Sequence, residues 1–262
     1  MANFKVVASK LQGSEQAGRS SYVLENEVLS SVGAEILEIE GGTDKEYLAE
    51  ARDADAIIAG RKITSNLIDG LESCKIIAVG GVGTDGVDID SATNKGIPVT
   101  NVPDTFIEEV SDHTLALILA TYRRIPMMDR MSRDGRWKQG RPYLYSFPRL
   151  IGQTLGLISF GHVARGVAKR AAAFGLQIIA HDPYVEELVM SSYGVEPVGL
   201  TELLQRSDIV SMHVPGSPET DKMLKEEHFR LMKPHALFIN NGRGSTVDEA
   251  ALIRALEDGW ID

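Results

Sequence analysis

The segment that most constrains this chain runs from Leu155 to Tyr184, LGLISFGHVARGVAKRAAAFGLQIIAHDPY. The apolar run Leu155 to Phe160 is too short for a buried helix and suits a buried parallel strand. Gly161 follows, where backbone must turn into a helix. Val163, Ala164, Val167, Ala168, Ala171 and Phe174 then recur at three- and four-residue spacing, with Lys169 and Arg170 off that face. Gly175 stops the helix, and Gln177 to Ala180 reads as a second strand ending in His181 and Asp182. A strand–turn–helix–strand unit with an acid roughly 20 positions past the turn is the layout of a dinucleotide-binding unit.

Against the pattern G-x-G-x-x-G, the chain reads Ser159-Phe160-Gly161-His162-Val163-Ala164. Only the middle glycine survives, the one that lets backbone approach a pyrophosphate. Ala164 still allows close helix–strand packing, whereas Ser159 is expected to tighten or shift the first turn. His162 and Val163 are expected to present backbone to a pyrophosphate at the helix N-terminus. Asp182 sits where a carboxylate can accept ribose hydroxyls. Pro183 and Tyr184 follow it, with no arginine for a 2′-phosphate, so the pattern favours NAD over NADP.

The length of 262 residues allows one large or two ordinary domains. A net charge of −10 argues against a nucleic-acid partner. The single cysteine, Cys74, excludes an intrachain disulfide, suits a reducing compartment and reads as a buried, inert thiol. The N-terminus has no signal pattern and no apolar run reaches bilayer length, so a cytoplasmic chain without membrane contact is expected.

Strand and helix patterns alternate over the first hundred residues, which predicts a parallel sheet covered by helices. Thr105-Phe-Ile-Glu108 reads as a capping box opening a helix to about Arg124, and the domain boundary is placed there, as 1–104 and 105–262. Residues 125–149 break the alternation with glycine, proline, aromatic and arginine residues. They read as an arm that packs on another subunit with Trp137 as anchor, or as a connector folded on its own surface. A second capping box is read at Thr246-Val-Asp-Glu249, and Trp260-Ile261-Asp262 look like the opening of another strand.

Three blocks carry a family resemblance. Lys75 to Val102 (KIIAVGGVGTDGVDIDSATNKGIPVTNV), Leu155 to Tyr184, and Ser207 to Glu249 (through HVPGSPET and FINNGRGSTVDE) together resemble the D-isomer-specific 2-hydroxyacid dehydrogenases of phosphoglycerate and glycerate dehydrogenase type. The resemblance implies an α/β chain of two domains: a flavodoxin-like, parallel-sheet substrate domain and a Rossmann NAD domain without its last strands. It also implies a cytoplasmic homodimer, and hydride transfer between NAD and a small D-2-hydroxy or 2-keto acid whose identity it leaves open. Arg243 matches the family's catalytic arginine, whose fork can hold a carboxylate and polarise a keto oxygen. Val82 and Gly83 match a loop whose N–H groups receive the substrate carboxylate, and Arg61 is a further substrate-side candidate. His213, Val214, Pro215 and Thr220 match a loop lining the cofactor riboses, and Asn241 and Gly242 one beside the nicotinamide. No metal is implied.

The family's general acid, a histidine preceded by proline and paired with a glutamate, is expected C-terminal to Arg243. The sequence stops before either, which reads as a C-terminally truncated dehydrogenase. His235, in Lys233-Pro234-His235, precedes a strand and is expected at the sheet's amino end, away from the cofactor. A non-catalytic NAD-responsive module of the corepressor type is the alternative. A methyltransferase reading leaves Arg243 and the GGVGTDGVD segment unexplained.

Overall fold

The structure, a computed structural model, describes residues 4–10, 22–40, 42–145 and 148–262. These form two compact units, residues 1–105 and 106–262. Each is an α/β unit built on one parallel five-stranded sheet.

The first unit alternates β1 (Phe4–Ser9), α1 (Val23–Ser30), β2 (Ala34–Ile39), α2 (Asp44–Ala51), β3 (Ala56–Ala59), α3 (Ser65–Gly70), β4 (Ile76–Val79), α4 (Ile89–Asn94) and β5 (Val99–Thr100). Its strand order, β2-β1-β3-β4-β5, is the flavodoxin-like order. Val7, Ile57 and Ile77 of three neighbouring strands are buried against Tyr47, Leu67 and Ile68 from the helices. Thr43 and Glu46 make a full capping box at the start of α2, the hydroxyl accepting from the Glu46 N–H and the carboxylate from the Thr43 N–H.

The second unit opens with α5 (Ile107–Tyr122), α6 (Ile125–Arg133) and α7 (Trp137–Gly140). There follow β6 (Thr154–Ile158), α8 (His162–Ala173), β7 (Gln177–His181), α9 (Glu187–Ser192), β8 (Glu196–Pro197), α10 (Leu200–Arg206), β9 (Ile209–Met212), α11 (Glu226–Phe229), β10 (Leu237–Asn240) and α12 (Glu249–Glu257). The order β10-β9-β6-β7-β8 is that of the Rossmann fold's first five strands. Ile261 bridges Ala236 in parallel, consistent with a strand beginning there. Gly156 of β6 lets α10 lie directly on the sheet, since a Cβ there would strike Ser207 and Leu203. Gly166 of α8 does the same for α5, where the Ser111 hydroxyl donates to the Ile107 and Val163 carbonyls. Arg170 of α8 completes this clasp through Glu108 and Asp112, both at 2.6 Å.

Two expectations need correction. Thr105 does not cap α5: its hydroxyl turns back to the Pro103 carbonyl, and Phe106 holds the cap position without a side-chain bond. Thr246 does not cap α12: its hydroxyl donates to the Arg243 carbonyl, and Asp248 caps the helix by accepting from the Ala251 N–H at 3.1 Å. In residues 125–149, α6, α7 and a 3-10 turn at Arg141–Tyr145 occupy most of the segment, while Ser146 and Phe147 lie outside the described residues. Pro126 sits in the first turn of α6, where a missing N–H costs nothing.

Candidate active site

The sheet of the second unit changes direction of winding at β6, which has β7 on one side and β9 on the other. Ligands of open α/β sheets bind outside the carboxyl ends of the strands at such a switch point. Glycine turn, acid, histidine loop and arginine loop all emerge from that edge.

After β6, Ser159 has φ 75°, a left-handed conformation ordinarily left to glycine. The first turn is therefore not shifted by the serine; the serine takes the glycine's conformation. Its N–H donates to the His181 carbonyl at 2.8 Å, which joins the turn to β7. Gly161 caps α8 with no side-chain bond, and a Cβ built on it would have nothing within 4 Å. The first N–H groups of a helix have no intrahelical acceptor. A side chain at Gly161 would occupy the space beside that turn, which glycine leaves open. His162 is exposed and Val163 is partly buried at that first turn.

Asp182 follows β7. Its Oδ2 accepts from the Phe160 N–H at 2.8 Å and from the Ser159 hydroxyl at 3.2 Å, and its Oδ1 accepts from the Tyr184 N–H at 2.8 Å. The acid is thus locked to the glycine turn before any ligand arrives.

His213 follows β9 and packs its ring against Ser211, whose hydroxyl lies 3.0 Å from Nε2. Its Nδ1 is inaccessible and has no protein partner. Burial alone pushes its pKa down to about 4 from 6.5, so the ring is neutral at physiological pH. Between those values the unfolded chain binds a proton that the folded chain refuses, so stability is full above pH 6.5 and is lost as pH falls toward 4. Acidification from pH 7 to pH 5 is expected to cost the wild type about 2 kcal/mol more than it costs His213→Asn. Urea unfolding of both proteins at the two pH values checks this, and equal losses would contradict it. Beyond His213, the Thr220 hydroxyl donates to the Pro215 carbonyl at 2.7 Å and accepts from the Ser217 N–H at 2.8 Å, closing the loop on itself.

After β10, Gly242 lies hard against the histidine loop: a Cβ there would come within 2.5 Å of the Val214 carbonyl oxygen. The Asn240 side chain accepts from the Gly242 N–H at 2.9 Å and donates to the Arg243 carbonyl at 3.0 Å. Thr246 also donates to that carbonyl, at 2.6 Å. The backbone of Arg243 is therefore fixed from two sides, and its side-chain stem lies over Gly216. Asn241 directs its amide away to Thr114 of α5 at 2.6 Å. Asn240, Thr246 and Thr114 were not read from sequence as site residues. An Asn at a strand end ahead of glycine was the available signal for Asn240.

His235 precedes β10 at the opposite, amino edge and is largely exposed, 3.3 Å from Asp262. It lines a separate cavity of about 590 Å³ with Tyr122, Lys233 and Asp262. The other histidines are placed structurally or outside: His181 is bonded to the Val198 carbonyl, His228 caps its own turn, and His113 is exposed on α5.

In the first unit, a cavity of about 480 Å³ is lined by Tyr22, Gly60, Arg61, Gly80, Gly81 and Gly83, beyond the carboxyl ends of β3 and β4. Val82 is exposed, and its carbonyl accepts from Asn101 at 2.7 Å, which fixes the loop. Arg61 borders this cavity, yet its guanidinium is held by Asp44 at 2.8 Å and stacks over the Tyr47 ring. Cys74 is partly buried and its pKa is raised by burial, as an inert thiol requires.

The open cradle at Gly161, the anchored carboxylate of Asp182 and the orphaned Nδ1 of His213 fit a dinucleotide, and they define a dinucleotide-binding α/β domain. Residues 115–262 match the family model described as "D-isomer specific 2-hydroxyacid dehydrogenase, NAD binding domain". The chain is 39% identical over 237 residues to D-3-phosphoglycerate dehydrogenase of Methanocaldococcus jannaschii, covering 89% of this chain and 44% of that one. It is 39% identical over 220 residues to glyoxylate reductase of Thermococcus litoralis, covering 82% and 66%. Among solved structures, D-lactate dehydrogenase of Aquifex aeolicus complexed with NAD and lactic acid superposes with a TM-score of 0.80 at 28% identity, covering 98% of this chain and 74% of that one.

The chain belongs to the D-isomer-specific 2-hydroxyacid dehydrogenase family. It spans about half to two thirds of the length of the two relatives named above. The names those relatives carry leave the corepressor alternative without support. No helix among the described residues is long and apolar enough to cross a membrane.

Proposed function

We propose that this protein is an NAD-dependent oxidoreductase acting on a small D-2-hydroxy or 2-keto acid. The observation that carries the reading is the common edge of the second unit's sheet, where the glycine turn, Asp182 and Arg243 emerge from strands of one Rossmann-ordered sheet. NAD, when bound, supplies the hydride acceptor, and its reduced form the donor.

The chain's own residues then have separable tasks. The N-terminus of α8 receives the pyrophosphate, with His162 and Val163 presenting backbone. Asp182 accepts from the adenosine ribose, and the loop from His213 through Val214 and Pro215 to Thr220 lines the riboses. Gly242 and the backbone of Asn241 flank the nicotinamide. Arg243 holds the substrate carboxylate and polarises the keto oxygen through its planar fork. In the first unit, residues 1–104 by the boundary read from sequence, the Val82 and Gly83 amides are the donors proposed for the substrate carboxylate. The salt bridge to Asp44 makes Arg61 a weaker substrate ligand than its position suggests.

Titration with NADH followed by a panel of 2-keto acids tests the reading. Enhanced nicotinamide fluorescence and then loss of nicotinamide absorbance are the expected results. Binding without oxidation of NADH by any keto acid, in a protein that also carries the histidine and glutamate expected C-terminal to Arg243, would overturn the catalytic half of the proposal.

We further propose a cytoplasmic homodimer. The single cysteine, suited to a reducing environment, supports the compartment. The exposed Trp137, Tyr143 and Tyr145 of the α7 region support the subunit contact. A monomer in sedimentation equilibrium would count against it.

A further inference from the structure

Ser159 occupies the first position of the glycine fingerprint and keeps a glycine's backbone, with φ 75°. A residue with a Cβ is strained in that region, so the serine is held there against a local conformational cost. Its side chain is partly accessible at the carboxyl edge and donates to Asp182 Oδ2.

The acceptor count around Asp182 then becomes decisive. A carboxylate offers about four acceptor positions. Phe160 N–H and the Ser159 hydroxyl take those of Oδ2, and Tyr184 N–H takes one of Oδ1. A ribose diol brings two donors, and the carboxylate has about one position left for them. The Ser159 oxygen has given its single proton to Asp182 and retains its lone pairs.

We propose that Ser159 is a cofactor-binding residue, its hydroxyl accepting a hydrogen bond from one adenosine ribose hydroxyl while donating its own proton to Asp182. The second ribose hydroxyl donates to the remaining position on Asp182. A chain running from ribose to serine to carboxylate is polarised along its length, the anion strengthening the serine as an acceptor. The inference rests on the reading of this edge as the NAD site.

The test is a fluorescence titration of NADH against the wild type, Ser159→Ala and Ser159→Gly. The alanine variant keeps the strained Cβ and loses only the hydroxyl, so its Kd is expected to rise about fivefold. The glycine variant is expected to lose the same affinity while its Tm rises, because the backbone strain is released. Of the 2′-deoxy and 3′-deoxyadenosine analogues of NADH, the one lacking the hydroxyl that meets Ser159 should bind wild type and Ser159→Ala alike.

A Ser159→Ala protein that binds NADH as tightly as the wild type, or more tightly, overturns the proposal, since the serine would then only occupy an acceptor that the ribose could use. An alanine variant that loses as much affinity for both analogues as for NADH overturns it as well, because the loss would not pass through a ribose hydroxyl. A wild type that binds no NADH overturns the NAD-site reading and the proposal with it.

Discussion

Arg243→Lys is expected to lower kcat/KM for 2-keto acids about a hundredfold while changing NADH affinity far less. Lysine keeps the charge but offers a point ammonium in place of a planar fork, so it can serve the carboxylate or the keto oxygen and not both. The backbone at this position is fixed independently of the side chain, by Asn240 and Thr246 on the Arg243 carbonyl. The substitution should therefore leave stability near that of the wild type, and a urea melt run beside the kinetics separates loss of chemistry from loss of fold. Equal kcat/KM for the two proteins would remove Arg243 from the catalytic role.

A pair of glycine substitutions should give the other large effect, with opposite signatures. Gly242→Ala places a Cβ within 2.5 Å of the Val214 carbonyl oxygen and 3.1 Å of its nitrogen, backbone atoms that cannot swing aside. Overpacking of this kind is expected to cost about 3 kcal/mol of stability. Gly161→Ala meets nothing within 4 Å, and Gly161 has no positive φ for a Cβ to strain. Its melt should match the wild type, yet the added methyl fills the space that the pyrophosphate needs, and NADH affinity should fall by about tenfold or more. A normal Kd for Gly161→Ala would mean that the cofactor's phosphates lie elsewhere.

Much of this architecture was legible from hydrophobic periodicity. The alternation of short apolar runs with helical faces predicted parallel sheets, and both strand orders are those of nucleotide-binding α/β folds. The misread features are local contests between hydrogen-bond partners. At Thr105 and Thr246 the sequence shows a hydroxyl three residues ahead of a glutamate, but each hydroxyl bonds an upstream carbonyl, and both helices begin later. The complete capping box, Thr43 with Glu46, has the same pattern and no such competitor. In residues 125–149, glycine and proline break the alternating pattern, and the proline lies in the first turn of α6, where helices tolerate it.

The site was legible as positions and not as interactions. Gly161, Asp182, His213 and Arg243 all fall on one sheet edge because strand ends in a parallel sheet share an edge. That Asp182 would be claimed by its own turn, that Asn241 would face α5, and that Arg61 would be paired with Asp44 are three-dimensional facts with no signature in spacing. The left-handed backbone of Ser159 belongs to the same class: sequence marks the residue as a departure, and only the fold shows that the turn is unchanged.

The bond between Asn241 and Thr114 spans 127 positions of sequence and joins the arginine loop to the helix that opens the second unit. Thr114 in turn donates to the Val110 carbonyl within that helix. α5 is thereby tied to both loops of this edge: Asn241 joins it to the arginine loop, and the Ser111 hydroxyl, which donates to the Val163 carbonyl, joins it to the first turn of α8 behind Gly161. One helix thus serves as a common brace, and a shift of α5 would reach the arginine loop and the start of α8 together.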